Sequence, residues 1–125
     1  MISGIFYLNL PSTTHREQMN LLFICTINRM RSCTAETIYG TNPAYKVKSA
    51  GIAPNAPNQI TPELLRWADK IFVMENLHRT FILEKFPQTA IGNKITVLGI
   101  PDFYYYMEPE LIDLLKARID PLLTS

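Results

Sequence analysis

L-L-F-I-C-T-I-N-R-M-R-S, residues 21 to 32, decides how the rest of the chain is read. Leu21 to Cys25 is a continuous apolar run, where a half-exposed strand would alternate apolar with polar. Such a run marks a strand buried on both faces, as in a parallel sheet. The chain then turns polar for a few residues. From Arg31 to Tyr39 it carries Ala35, Ile38 and Tyr39 on one helical face, with Gly40 as a stop. A strand, a tight polar loop and a helix therefore follow one another, with a thiol at the strand's end.

The same alternation continues outward. Tyr45 to Ser49, Lys70 to Met74 and Lys94 to Leu98 are further short β-branched or aliphatic runs. Thr61-Pro62-Glu63 supplies an N-cap, a first-turn proline and a first-turn acid for a helix through Trp67. Glu75 to Phe86 is a third helix, closed by Pro87. A fourth begins near Glu108-Pro109 and sets Leu111, Leu114, Leu115, Ile119 and Leu122 on one stripe. Four strands alternating with helices predict an α/β fold: a four-stranded open parallel sheet with helices on both faces and a phosphate-binding loop after the first strand. In such sheets ligands bind beyond the carboxyl ends of the strands, where Cys25 sits.

Residues 1 to 18 stand outside this pattern, with Pro11 and the polar run Ser12 to Gln18. They read as a loosely attached N-terminal extension, Met19 resembling a start position, with residues 19 to 125 as the functional domain. The alternative is an edge strand over Ile5 to Leu8. Ala53-Pro54-Asn55-Ala56-Pro57-Asn58 is a connecting loop near the site.

Composition narrows the partners. Lys and Arg number 12 against 11 Asp and Glu, so no overall field points to nucleic acid or a membrane surface, although one local anion pocket needs only one or two arginines. No apolar run is long enough to span a bilayer. Two cysteines in 125 residues do not make a disulfide framework, so the expected location is the cytoplasm. No metal or other cofactor is called for.

Arg31 lies six residues after the thiol, enough chain to curl into a cradle. Such a cradle aims successive backbone N–H groups inward as an anion nest, and the following helix adds its positive N-terminal end. The planar Arg31 guanidinium can hold two phosphoryl oxygens at once, which Lys cannot. A field that binds a phosphate dianion also favours a thiolate at Cys25. Ser32 can hydrogen-bond that sulfur and help it leave. Asn28 suits the bend, because Asn tolerates left-handed backbone and its amide can pin the loop. Thr26, Ile27, Asn28, Arg29 and Met30 are the loop residues expected around the substrate.

A phosphocysteine mechanism needs an acid for the leaving oxygen and then a base for water. Asp102, in I-P-D-F-Y-Y-Y after the fourth strand, is the candidate for both. Phe103, Tyr104, Tyr105 and Tyr106 follow it; Tyr104 and Tyr105 are expected to wall a pocket for an aryl phosphate, while one or two of the four face the core. His78 and His15 read as surface residues.

With C-T-I-N-R-M-R-S, S-C-T-A-E (32 to 36), S-A-G (49 to 51), A-D-K-I-F-V-M-E-N-L (68 to 77) and the Asp102 loop, the sequence resembles the low-molecular-weight protein tyrosine phosphatase family, and within it a short bacterial branch. The resemblance covers about residues 20 to 122. It implies a four-stranded parallel sheet flanked by helices and hydrolysis of a phosphorylated protein or a small phosphomonoester. It also implies Cys25 as nucleophile, Arg31 as phosphate clamp, Ser32 as thiolate partner, Asn28 as loop organiser and Asp102 as acid. Four departures stand out, one of them Phe103 where a proline usually follows the acid. The usual glycine two places after the nucleophile is Ile27, which would be strained if that position required φ > 0. The second cysteine that often precedes the arginine is Met30. Cys33 replaces a common proline and reads as a small helix-packing thiol.

Other functions fit less well. An arsenate reductase of this fold would need further cysteines downstream, and none follows Cys33. A phosphocysteine carrier has little use for Arg31 and a separate acid. A silent phosphotyrosine- or oxyanion-binding module would be expected to lack Cys25, Arg31 or Asp102.

Overall fold

The computed structural model describes residues 18–123. The expectations for the N-terminal extension, including a strand at Ile5 to Leu8 and the place of His15, lie outside the described residues. Four strands, β1 (Met19–Cys25), β2 (Tyr45–Gly51), β3 (Lys70–Val73) and β4 (Ile95–Val97), form one sheet in the order β2-β1-β3-β4. Every pairing is parallel, with Cys25 level with Gly51 and Ile24 level with Val73. Between them run α1 (Arg31–Tyr39), α2 (Pro62–Trp67) and α3 (Asn76–Lys85), and α4 (Pro109–Leu123) follows β4. The fold is the α/β architecture that the sequence predicts.

β1 is central because both its faces are apolar. Leu21, Phe23 and Cys25 meet Phe72 and Met74 of β3 and its end, Ala35 and Tyr39 of α1, and Leu111, Leu115 and Ile119 of α4. Leu22 and Ile24 point the other way, into a second core with Ile71, Val73, Leu65 of α2 and Ile82 of α3. Each such buried side chain contributes about 1.5–3 kcal/mol by leaving water. Phe23 also stacks on Phe72 at the same register, ring centroids 5.4 Å apart.

Local signals place the helices. The Thr61 hydroxyl accepts the Leu64 N–H at 3.1 Å, capping α2 ahead of Pro62. On α4 the expected stripe needs one correction: Leu122 is exposed, and Leu123 packs on the core. The contact follows the strict i+4 row 111, 115, 119, 123, and Leu122 is one position off it.

The chain order reverses at β1. It steps outward to β2, then returns across β1 to β3, so the carboxyl ends of β1 and β3 flank a crevice. Cys25 and the loop that follows it lie there.

Candidate active site

Cys25 ends β1 and Arg31 opens α1, and the five residues between them fold back over the strand ends. The reversal happens at Asn28, whose φ is +62°. Ile27 is not among the residues with positive φ, so the strain that a β-branched residue there would cause does not arise. Gly51, at the end of β2, makes room for the loop: a Cβ on it would come within 2.7 Å of the Thr26 carbonyl oxygen and 3.0 Å of the Asn28 nitrogen. Ile52 and Ala53 donate backbone hydrogen bonds to the Cys25 and Thr26 carbonyls, at 3.1 and 2.9 Å.

The Cys25 sulfur is buried and faces two donors. The Asn28 N–H lies 3.1 Å from it and the Ser32 hydroxyl oxygen 3.0 Å. The direction of the Ser32 bond follows from its neighbours. The Asn28 side-chain amide donates to Ser32 Oγ at 2.9 Å, so the hydroxyl's own proton is free for the sulfur. The same amide donates to Ser49 Oγ at 2.9 Å, and Ser49 in turn donates to Glu36. Oriented hydrogen bonds thus diverge from the Asn28 amide, one arm through Ser32 to the thiol and the other through Ser49 of β2 to the Glu36 carboxylate on α1. Cys33 sits beside this chain and donates its S–H to the Asn28 carbonyl at 3.1 Å. Burial pushes its pKa up, which suits a donor thiol that stays protonated.

The Arg31 side chain is 2% exposed and heavily partnered. Nη1 donates to the Glu75 carboxylate and, at 2.8 Å, to the Ile100 carbonyl, while Nη2 lies 3.7 Å from Asp102 Oδ1. Glu75 follows β3 and Ile100 follows β4, so the guanidinium is oriented by both strands beyond the loop. A buried charge would be costly without such partners.

A cavity of about 250 Å³ opens above the sulfur, lined by Cys25, Thr26, Ile27, Arg29, Met30, Arg31 and Asp102. Asp102 is largely exposed at its mouth. Asn28 and Ser32, also expected around the substrate and the thiolate, lie buried beneath the loop rather than along the cavity. Tyr104 and Tyr105, expected as pocket walls, do not line it. Tyr104 is buried in the core with α4, its ring stacked on Phe103 at 4.5 Å, and Tyr105 points to solvent. The segment is fixed from below: the Met107 N–H donates to Thr34 Oγ1 at 2.9 Å and the Tyr106 hydroxyl pairs with Thr37 at 2.8 Å.

Sequence reasoning also misplaced His78. Rather than lying on the surface, it is fully buried. Nδ1 accepts the Glu75 backbone N–H at 3.0 Å and Nε2 lies 2.9 Å from Thr26 Oγ1. Burial lowers its pKa to about 4, the Arg31 charge adding to the effect. The signal was present: His78 is the third helical residue after the N-cap Glu75, the position whose side chain reaches back to the N-cap N–H. Ser49 and Glu36 had no local signal as supports of the loop.

Among the described residues no group of side chains is arranged to hold a metal ion, and no helix is long and apolar enough to cross a membrane. No family model matches the chain, and neither does any curated protein. Solved structures do match. The tyrosine phosphatase Wzb from Escherichia coli K30, in complex with phosphate, aligns with a TM-score of 0.68 at 24% identity over 84% of this chain and 96% of that one. Vibrio vulnificus Wzb with benzylphosphonate gives 0.67 at 22%, over 84% and 97%. The YwlE arginine phosphatase from Geobacillus stearothermophilus gives 0.65 at 23%, over 85% and 94%. The chain shares their fold over nearly its whole described length.

Proposed function

We propose that the chain is a cysteine-dependent phosphatase that hydrolyses phosphomonoesters, phosphotyrosine in proteins foremost, through a phosphocysteine intermediate. The observation that carries this reading is the Cys25 sulfur, held between the Asn28 N–H and the Ser32 hydroxyl at the floor of a cavity that also holds Arg31 and Asp102. The arginine phosphatase and tyrosine phosphatases that share the fold favour the same reaction class.

In the first half-reaction the Cys25 thiolate attacks phosphorus and the bond from phosphorus to the ester oxygen breaks. Asp102 gives its proton to that oxygen, which leaves as the free hydroxyl. Arg31 and the loop N–H groups bind the three phosphoryl oxygens, whose charge is spread in the transition state. In the second, Asp102 takes a proton from water as the water oxygen attacks phosphorus. The S–P bond breaks, inorganic phosphate departs, and the Ser32 hydroxyl stabilises the returning thiolate.

The apolar rim of Ile27 and Met30 and the exposed Phe103 suit a flat aryl ester better than a polar alkyl phosphate. Turnover of p-nitrophenyl phosphate without added metal, by wild type and Cys25→Ser, tests the reaction. Activity in the first and none in the second is expected, with phosphotyrosine peptide hydrolysed faster than phosphoserine or phosphoarginine peptide. Equal activity in both proteins would overturn the mechanism, and a preference for phosphoarginine would overturn the substrate.

A further inference from the structure

We propose that His78 is a positioning residue of this site: as a neutral imidazole protonated on Nε2, it ties Thr26 of the loop to Glu75, the residue that clamps Arg31. The proposal rests on the phosphatase reading for its catalytic consequence, but its geometry stands alone.

The tautomer follows from the two bonds. A backbone N–H can only donate, so Nδ1, which meets the Glu75 N–H at 3.0 Å, must accept and carries no proton. The ring proton is therefore on Nε2 and is donated to Thr26 Oγ1 at 2.9 Å. The Thr26 hydroxyl, having accepted, keeps its own proton to donate to an anion in the cavity that Thr26 lines. An imidazolium could not form this pair of bonds, and it would set a cation beside Arg31. The charged groups around the ring are Arg31, Glu75 and Asp102.

A helix cap alone does not explain the arrangement. Capping Glu75 needs only the Nδ1 acceptor, whereas the Nε2 bond spans 52 residues of sequence to reach the position next to the nucleophile. Because the Glu75 carboxylate holds Arg31, the chain Thr26–His78–Glu75–Arg31 leaves the loop near its start and returns to it at its end. The two ends of the phosphate cradle are braced against one rigid helix terminus. A buried histidine with both nitrogens satisfied fixes geometry that an apolar residue filling the same space could not.

The tautomer is read from ¹⁵N-imidazole NMR spectra of the wild-type protein at pH 7, with His15→Asn used for assignment. A neutral ring protonated on Nε2 is expected; a proton on Nδ1, or an imidazolium, overturns the proposal whether or not any variant folds. The positioning role is read from inorganic phosphate affinity and kcat/KM in Thr26→Val, His78→Gln and the double variant. Each single substitution is expected to weaken phosphate binding about tenfold, the scale of one hydrogen bond to a charged group, and the double no further than the worse single. Independent, multiplying losses, or wild-type phosphate affinity in folded variants, would leave His78 a structural cap and overturn the proposal. If the wild type binds phosphate but hydrolyses no phosphomonoester, the phosphatase reading falls, and the His78 proposal is decided by the affinities and spectra.

Discussion

In the proposed mechanism a single proton on Asp102 separates the two half-reactions, and its carboxyl is largely exposed. Four carboxylates could compete for the role, and their surroundings sort them. Glu75 is committed to Arg31, and Glu108 accepts the Tyr105 N–H at 3.0 Å at the start of α4. Asp69 accepts the Asn20 N–H at 2.8 Å at the opposite end of the sheet. Only Asp102 lines the cavity. Asp102→Asn is expected to lower kcat by roughly 10²–10⁴-fold, the usual worth of a positioned general acid. The loss will be smallest for p-nitrophenol, a leaving group that departs without a proton. The basic limb of the pH–rate profile will flatten while the acidic limb remains. Wild-type behaviour in that variant, with the basic limb lost instead in Glu75→Gln, would reassign the acid. Asn28 shows what a single residue discloses in sequence: a type that accepts left-handed backbone, at a bend, with an amide to spare. Tyr104 shows the limit. Of four consecutive aromatics, the one that turns inward is decided by α4, which the local sequence does not contain.

Among elements, the junction of β3 and α3 contributes more than its sequence announced. Its strand and helix were legible from the apolar run to Met74 and from Pro87, whereas His78 read as a surface residue and its reciprocal cap with Glu75 emerged only in the structure. What could not be read was that the β2-β1-β3-β4 order brings this helix start against the loop after β1, so a residue that looks like a surface histidine is enclosed. The enclosure has a thermodynamic signature. The His78 pKa is lowered in the folded protein to about 4 from an ordinary 6.5, so between those values the unfolded chain binds the extra proton. The stabilisation is complete above about pH 7, is lost as pH falls through that window and levels off below it. Its size is on the order of 3 kcal/mol. Urea unfolding of wild type and His78→Gln at pH 7, 5.5 and 4 will show the gap between them narrowing as the pH drops. A constant gap would mean that the imidazole titrates alike in both states.

Across the whole molecule, the parallel sheet and its cover of helices on both faces were legible because β1 is apolar on both faces. The supports of the thiol, Ser49 and Glu36, were not, because a serine at a strand end carries no mark of the residue it will face. The guanidinium of Arg31 draws on partners 44 and 69 positions away in sequence. A fragment that stops short of β4 lacks Ile100, so the proposed oxyanion receptor is complete only once the chain has closed on itself. Binding and folding are therefore linked equilibria, and an inorganic anion becomes a gauge of global stability. Phosphate at a hundred times its Kd is expected to add about 2.7 kcal/mol to the unfolding free energy of the wild type. The increment will shrink in Arg31→Lys, which loses the planar fork. Amide hydrogen exchange will show where the increment lands. Protection will rise by the same factor in β2 and α4 as in the loop, because the ligand excludes every form in which the last strand has come away.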